Sequence, residues 1–377
     1  MFEATASAPV NIATLKYWGK RDVNLNLPTN SSISVTLAQD DLRATTTARA
    51  SSEFAKDELY LNDTLEPLGK RTLQVLAELR ALRAEIEQKD PSAPKIADLK
   101  LQIVSVNNFP TAAGLASSAA GFAALVKSIS LLYKLPHNDS ELSVLARQGS
   151  GSACRSMFGG YVAWEMGSET NGLDSRAVQI ADVNHWPNMK ALILVVCAEK
   201  KDVSSTSGMQ ITVETSGLFT ERVNTLVPEL FVKMKKAILD RDFGSFAKYT
   251  MVDSNQFHAV CLDSYPPIFY MNDVSKSAVR AIHELNDQYK EPIAAYTFDA
   301  GPNCVVYYLE ENEEAVLSHL GQAVSNVNGF PVEKMGSTPA STSTPKWADV
   351  LKTGIERVIS TRVGPGPQPL TTSLSKK

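Results

Sequence analysis

The chain has 377 residues, enough for one large core or two domains. With 21% charged and 44% hydrophobic residues it has the composition of an ordinary globular protein, and its net charge of −4 gives no reason to expect nucleic acid. The four cysteines (Cys154, Cys197, Cys261, Cys304) form no C-x-x-C and the five histidines no H-E-x-x-H, which argues for reduced thiols without a zinc site. The longest apolar run, ALILVVCA from Ala191, is too short to span a bilayer. With no secretory h-region and a terminal SKK rather than S-K-L, the expectation is a cytoplasmic protein without membrane partners.

The first ~60 residues alternate β-type runs, such as ISVTLA (33–38) and ATTTARA (44–50), with polar turns. Within them LKYWGKRD places Lys16, Tyr17, Trp18, Gly19 and Lys20 beside the turn-rich NLNLPTNSSIS, and so at a loop. Two lysines around an aromatic can hold a diphosphate as point charges; the alternative is a solvated charged turn with one aromatic anchor. Leu73, Leu76, Leu79 and Leu82 give residues 69–89 one apolar helical face, which ends near Asp90-Pro91.

LQIVSV (101–106) then reads as a buried strand, and residues 120–133 repeat apolar side chains at helical spacing. Between them runs NNFPTAAGLASSAAG, from Asn107, a small-residue loop that opens onto a helix N-terminus. Unpaired N–H groups and the positive end of the helix dipole there favour a nucleotide phosphate. Ala113, Gly114, Leu115 and Ala116 offer backbone that can approach closely, and Ser117 and Ser118 add hydroxyls. Neither G-x-x-x-x-G-K-[ST] nor G-x-G-x-x-G occurs in the loop, so the neutralising cation must come from elsewhere.

A helix over SELSVLARQGS has Asn138 or Ser140 as its N-cap. It leads into a second small-residue loop, with Ser150, Gly151, Ser152, Ala153 and Cys154 before Arg155, a guanidinium suited to a carboxylate or phosphate. A strand pair flanks 161–165, and 181–190 passes into a second half that opens on ALILVV. Lys200 and Lys201 follow, then a Ser/Thr-rich turn with Thr206. Helices are expected across 221–239, 271–285 and 311–320, with strands at IAAYTF and CVVYYL. Asp299 closes IAAYTF before a Gly-Pro turn, where a rigid strand end could hold a general base. His258, on an expected helix, reads as a structural histidine, and Trp18 and Trp164 read as packing anchors. After Val363 the Pro/Gly-rich residues 364–377 read as a mobile tail. Strands and helices mix without steady βαβ alternation, which predicts an α+β fold.

NIATLKYWGKRD, NNFPTAAGLASSAAG, GSGSACRS, VSSTSGM and TFDAGPN, in this order, resemble the mevalonate diphosphate decarboxylase family of the GHMP kinase superfamily, over residues 9–363. The resemblance implies a GHMP kinase-like fold. Residues 1–187 would form an ATP-binding half like ribosomal protein S5 domain 2, and residues 188–363 a ferredoxin-like half, with the active site in the cleft between them. It implies ATP-dependent decarboxylation of mevalonate 5-diphosphate in isoprenoid and sterol synthesis, by a homodimer that uses ATP and Mg²⁺.

By the same resemblance Asp299 acts on the 3-hydroxyl, Lys16 bridges Asp299 and the transferring phosphate, and Arg155 orients the substrate carboxylate. Tyr17, Trp18, Gly19, Lys20, Arg71, Ser150, Gly151, Ser152, Ala153, Cys154 and Thr206 belong to the substrate pocket. Asn107 and 113–118 belong to the nucleotide, and Ser118 to the metal. A small-molecule kinase of the superfamily acting on mevalonate or phosphomevalonate is the alternative. Its loop would read P-x-x-x-G-L-G-S-S-A, where this chain has Ala116 in place of the second glycine.

Overall fold

Strand β1 (Phe2–Pro9) turns small side chains inward, with Ala6 and Ala8 fully buried. It belongs to a computed structural model that describes residues 1–109, 117–196, 202–336 and 345–374. After β1 come β2 (Asn11–Leu15), a short ribbon of β3 (Lys20–Asp22) and β4 (Leu27–Pro28), then β5 (Ser32–Thr36) and β6 (Arg43–Ser51). β7 (Glu58–Leu61) and β8 (Thr64–Glu66) precede α1 (Lys70–Lys89) and β9 (Lys100–Asn107). α2 (Ser117–Tyr133), α3 (Asp139–Gly149), a 3-10 segment (Gly151–Met157), β10 (Tyr161–Trp164) and β11 (Ala177–Ala181) complete the first half.

One sheet runs β1-β6-β9-β7-β8 and another β11-β10-β5-β2. Helix α2 lies across β1 and β6, and the buried face of its first turns is alanine: Ala119, Ala120, Ala123 and Ala124 are fully buried. Small side chains let this end of the helix sit close to the sheet, which fixes the position of its N-terminus. Of the two expected caps for α3, Asn138 is the one used. It accepts from Glu141 N at 3.0 Å, while Glu141 accepts from Asn138 N at 2.9 Å, a reciprocal capping box.

The second half contains β12 (Met189–Val196), α4 (Ser205–Thr215), the single turn α5 (Phe219–Glu221), a π-helical turn (Arg222–Leu226) and α6 (Val227–Asp240). It continues with α7 (Phe243–Leu262), α8 (Asp273–Tyr289), β13 (Ala294–Phe298), β14 (Cys304–Leu309), α9 (Glu313–Val324), α10 (Lys346–Gly354) and β15 (Ile355–Arg362). Its antiparallel sheet has the order β13-β14-β12-β15. Counted within this half the strands run two-three-one-four, the ferredoxin-like arrangement. β12 is central, which explains its unbroken apolar run. Tyr307 on β14 ties the halves together by donating to the Ile12 carbonyl on β2 at 3.1 Å.

Three expectations are corrected. The Ser/Thr-rich segment around Thr206 is helix α4, because Ser204 caps it by accepting from Ser207 N at 3.1 Å. The loop before Arg155 is wound into the 3-10 segment, with Ala153 N bonded back to the Ser150 carbonyl at 2.9 Å. Residues 364–374 are not a free tail. β16 (Gln368–Leu370) pairs antiparallel with β1, Gln39 donates to the Gly366 carbonyl at 2.6 Å, and Leu374 N donates to Thr47 at 3.0 Å. The outer edge of β1 would otherwise present unpaired backbone groups, and this segment satisfies them.

No helix among the described residues is long and apolar enough to cross a membrane. Cys154, Cys261 and Cys304 are buried and unpaired.

Candidate active site

β2 and β13 end facing each other across the two halves, and each delivers one charged side chain. Lys16, just past β2, is 3% exposed; its Nζ donates to the Ala13 carbonyl at 2.7 Å and to Asp299 Oδ1 at 2.7 Å. Asp299, just past β13, has a side chain 43% exposed. The pair stands in the wall of a cleft of about 670 Å³. Among its described lining residues Lys16, Lys20, Lys70, Arg71 and Arg155 are cationic, and Asp299 is the one acid. In a chain of net charge −4 this concentration of cations marks a site for a polyanion.

Tyr17 tilts onto Trp164 with ring centroids 4.6 Å apart, and among the described residues its buried hydroxyl has no hydrogen-bond partner. Burial pushes its pKa up, so it remains a donor beside Arg71 and Arg155. An orphaned donor between two cations fits a phosphate oxygen. Lys20 is 5% exposed, and burial first, then the charge of Arg71, lower its pKa from 10.5 to about 8. A bound anion would oppose both influences, because its negative charge favours the ammonium.

Arg155 is 3% exposed; its Nη1 donates to Ser32 Oγ at 2.6 Å, its Nε to Asn11 Oδ1 at 3.3 Å, and it lies 5.8 Å over the Trp164 ring. These contacts fix the plane of the guanidinium, and the part left facing the cleft can meet a carboxylate. Ser150, Gly151 and Ser152 line the same wall. A Cβ on Gly151 would come within 2.8 Å of the Tyr17 ring, so glycine is what lets the loop pass this close. Thr206 lines the opposite wall from the first turn of α4.

Gly19, Ala153 and Cys154 do not line the cleft; they shape it from behind. Gly19 adopts φ +88°, where a Cβ would strike Phe219. Ala153 is fully buried. Cys154 donates to the Gly151 carbonyl at 3.0 Å, and burial pushes its thiol up to about 12. Trp18 both packs and lines the cleft: its Nε1 donates to Thr212 at 3.0 Å, and Met209, Phe257 and Ala300 continue its apolar wall. His258 does not line the cleft, and burial holds its pKa down at about 3.

A second cavity of about 350 Å³ adjoins the cleft and shares Thr72, Ser117, Ser118 and Phe122 with it. Asn107 lines it together with Leu59, Leu61 and Leu125. An apolar chamber that opens beside the N-terminus of α2 suits a nucleotide whose phosphates point into the cationic cleft. Ser118 Oγ lies 3.4 Å from Ser150 Oγ, where the two chambers meet. Among the described residues no three His, Cys, Asp or Glu side chains cluster to hold a metal. A hydroxyl such as Ser118 beside phosphates suits Mg²⁺, which keeps its waters and is commonly held through substrate phosphates. Ala113, Gly114, Leu115 and Ala116, like Lys200 and Lys201, lie outside the described residues.

Asn11, Lys70, Met209, Phe257 and Ala300 line the cleft without having been singled out in the sequence. Asn11 could have been found as a polar residue in an otherwise apolar run; the others carry no local signal.

Two family descriptions match, the diphosphomevalonate decarboxylase-like N-terminal domain over residues 8–177 and the mevalonate 5-diphosphate decarboxylase C-terminal domain over 191–370. The diphosphomevalonate decarboxylase of Candida albicans is 59% identical over 377 residues, covering 100% of both chains. The chain belongs to the diphosphomevalonate decarboxylase family. The Saccharomyces cerevisiae member is 56% identical over 384 residues, covering 99% of this chain and 97% of its own.

The X-ray structure of a mevalonate 5-diphosphate decarboxylase superposes with a TM-score of 0.94 at 56% identity, covering 100% of this chain and 99% of the other. The fold is therefore the GHMP kinase-like α+β fold of this family. A structure described as MDDEF in complex with MVAPP, AMPPCP and magnesium superposes with a TM-score of 0.77 at 29% identity, covering 98% of this chain and 99% of that one.

Proposed function

We infer that the protein converts (R)-mevalonate 5-diphosphate and ATP to isopentenyl diphosphate, ADP, phosphate and carbon dioxide, in the mevalonate pathway of isoprenoid and sterol synthesis. The observation that carries this reading is the Lys16–Asp299 pair, set in a cleft with five cations and a single acid among its described lining residues. That lining suits a substrate anionic at both ends.

The diphosphate end lies against Lys20, Arg71, Ser150, Ser152 and the orphaned Tyr17 hydroxyl, and the carboxylate meets Arg155. In this reading the tertiary 3-hydroxyl meets Asp299, which accepts or orients its proton as the oxygen attacks the γ-phosphoryl group of ATP. Lys16 keeps Asp299 an acceptor and offers positive charge to the transferring group. Ser117, Ser118 and the N-terminus of α2 hold the nucleotide phosphates, with Asn107 at the nucleoside side. Magnesium, held by Ser118 and phosphate oxygens, supplies charge neutralisation between phosphates.

Once phosphorylated, the C3 oxygen leaves as phosphate. The bond from C2 to the carboxylate carbon breaks, its electrons form the new double bond, and carbon dioxide departs. Asp299 places negative charge near the electron-poor C3, while Trp18, Met209 and Phe257 keep water from that side.

We take residues 1–187 and 188–363 as the two functional halves, with the enzyme a cytoplasmic homodimer as the family resemblance implies. Sedimentation at micromolar concentration tests the dimer. The reaction is tested with substrate labelled at its carboxyl carbon. Equal release of labelled carbon dioxide and phosphate is expected, and ADP without labelled carbon dioxide would instead make the protein a kinase.

A further inference from the structure

Asp253 and Arg222 form an ion pair at 2.8 Å with side chains 0% and 1% exposed, outside the cleft lining. Burying such a pair is costly, and apolar residues of similar size often serve stability as well or better. What these two charges hold is the backbone of Lys16. Asp253 Oδ2 accepts from Lys16 N at 2.7 Å, while Oδ1 accepts from Arg222 Nη2. The Lys16 carbonyl accepts from Asn30 Nδ2 at 3.0 Å and faces Arg222 Nη2 at 3.5 Å. Arg222 opens the π-helical turn, a geometry found often at functional positions.

The next residue on α7, Ser254, accepts from Phe298 N at 3.2 Å, and Phe298 immediately precedes Asp299. Two consecutive residues of one helix therefore grip the backbone of Lys16 on one side and the strand end that carries Asp299 on the other. Lys16 comes from the first half and Asp299 from the second, so their 2.7 Å contact depends on a common reference.

We propose that Asp253, supported by Arg222, and Ser254 are positioning residues that set the geometry of the Lys16–Asp299 pair for phosphoryl transfer. Neither touches substrate. This inference rests on the reading of Lys16 and Asp299 as the reacting pair, which Lys16→Ala and Asp299→Asn test separately by their own loss of turnover.

The test is a double-mutant cycle with ATP and mevalonate 5-diphosphate. Asp253→Asn alone strands a buried guanidinium, so Arg222→Gln/Asp253→Asn is used, with Ser254→Ala as a milder probe from the other side. In wild-type background kcat is expected to fall by about 10–100-fold, the size of loss that follows a misplacement near 1 Å, with KM for both substrates changed less than about twofold. In the Lys16→Ala background the paired Arg222→Gln/Asp253→Asn change should cost almost nothing further, because it acts through Lys16, and Ser254→Ala, which acts through Asp299, should cost almost nothing further in the Asp299→Asn background. Ser254→Ala should lower kcat by about threefold or more without moving KM. An equal further loss of the paired variant in the Lys16→Ala background, or of Ser254→Ala in the Asp299→Asn background, would overturn the proposal, as would wild-type kcat in Ser254→Ala. If the paired variant does not fold, the Ser254→Ala result, with and without the Asp299 carboxylate, decides the matter alone.

Discussion

Lys16 Nζ and Asp299 Oδ1 are 2.7 Å apart, but only the carboxylate faces open space: the lysine side chain is 3% exposed and the aspartate's 43%. The amine is also committed to the Ala13 carbonyl, which leaves it limited freedom to follow a substrate. Asp299 can turn its outer oxygen to an incoming hydroxyl while the inner one stays paired.

Asp299→Asn should therefore lower kcat by about 10²–10⁴-fold, since an amide cannot take the proton. Nucleotide affinity, which we assign to the adjoining chamber lined by Asn107, Ser117 and Ser118, should change little. Steady-state rates combined with titration of a fluorescent nucleotide check both. Near-normal turnover would remove Asp299 from the chemistry.

Arg155→Lys keeps the charge and loses the planar fork that bonds Ser32 and Asn11 while facing the cleft. The expected fall in kcat/KM is about 10–100-fold, the range for losing a charge-assisted hydrogen bond. A matching substrate analogue without the carboxylate should bind both forms alike; discrimination between them would place the carboxylate elsewhere.

Lys20 makes binding depend on pH. Its pKa in the free protein lies at about 8, so the ammonium is lost as pH rises through that value, whereas a bound diphosphate favours the charged form. The KM for the diphosphate substrate should be flat below pH 8 and rise above it, approaching tenfold per unit, and Lys20→Met should flatten the curve. Because the charge of Arg71 contributes to lowering the Lys20 pKa, Arg71→Gln should move the break to higher pH.

Gly151→Ala is a test of shape alone. Its new methyl would press on the Tyr17 ring, which is already packed against Trp164. A loss of about 1–3 kcal/mol is expected from overpacking, read as a lower thermal midpoint. A raised KM for mevalonate 5-diphosphate should accompany it as the Tyr17 hydroxyl shifts.

Local patterning made several parts of the fold legible. The apolar spacing of 120–133 and the small residues before it indicated α2 and where it starts, and Asp299 stood visibly at a strand end before Gly301 and Pro302. What could not be read depends on partners far away in the chain. Asp253 meets Lys16 across 237 residues and Asn11 meets Ser152 across 141, and neither leaves a trace in its neighbours. Composition misled at the C-terminal segment, where Gly and Pro signalled a loose tail although the backbone beyond them pairs with β1. At Ser204 the polar run resembled a turn because a capping serine and a turn serine look alike until the following residues coil.

The pairing of β16 with β1 also bears on how the chain is made. Thr5, Ala6 and Ser7 are made long before their partners Leu370, Pro369 and Gln368, which follow the whole second half. A sheet formed early thus depends on a strand made late, so a nascent chain stalled before residue 364 carries an open edge at β1 until β16 emerges.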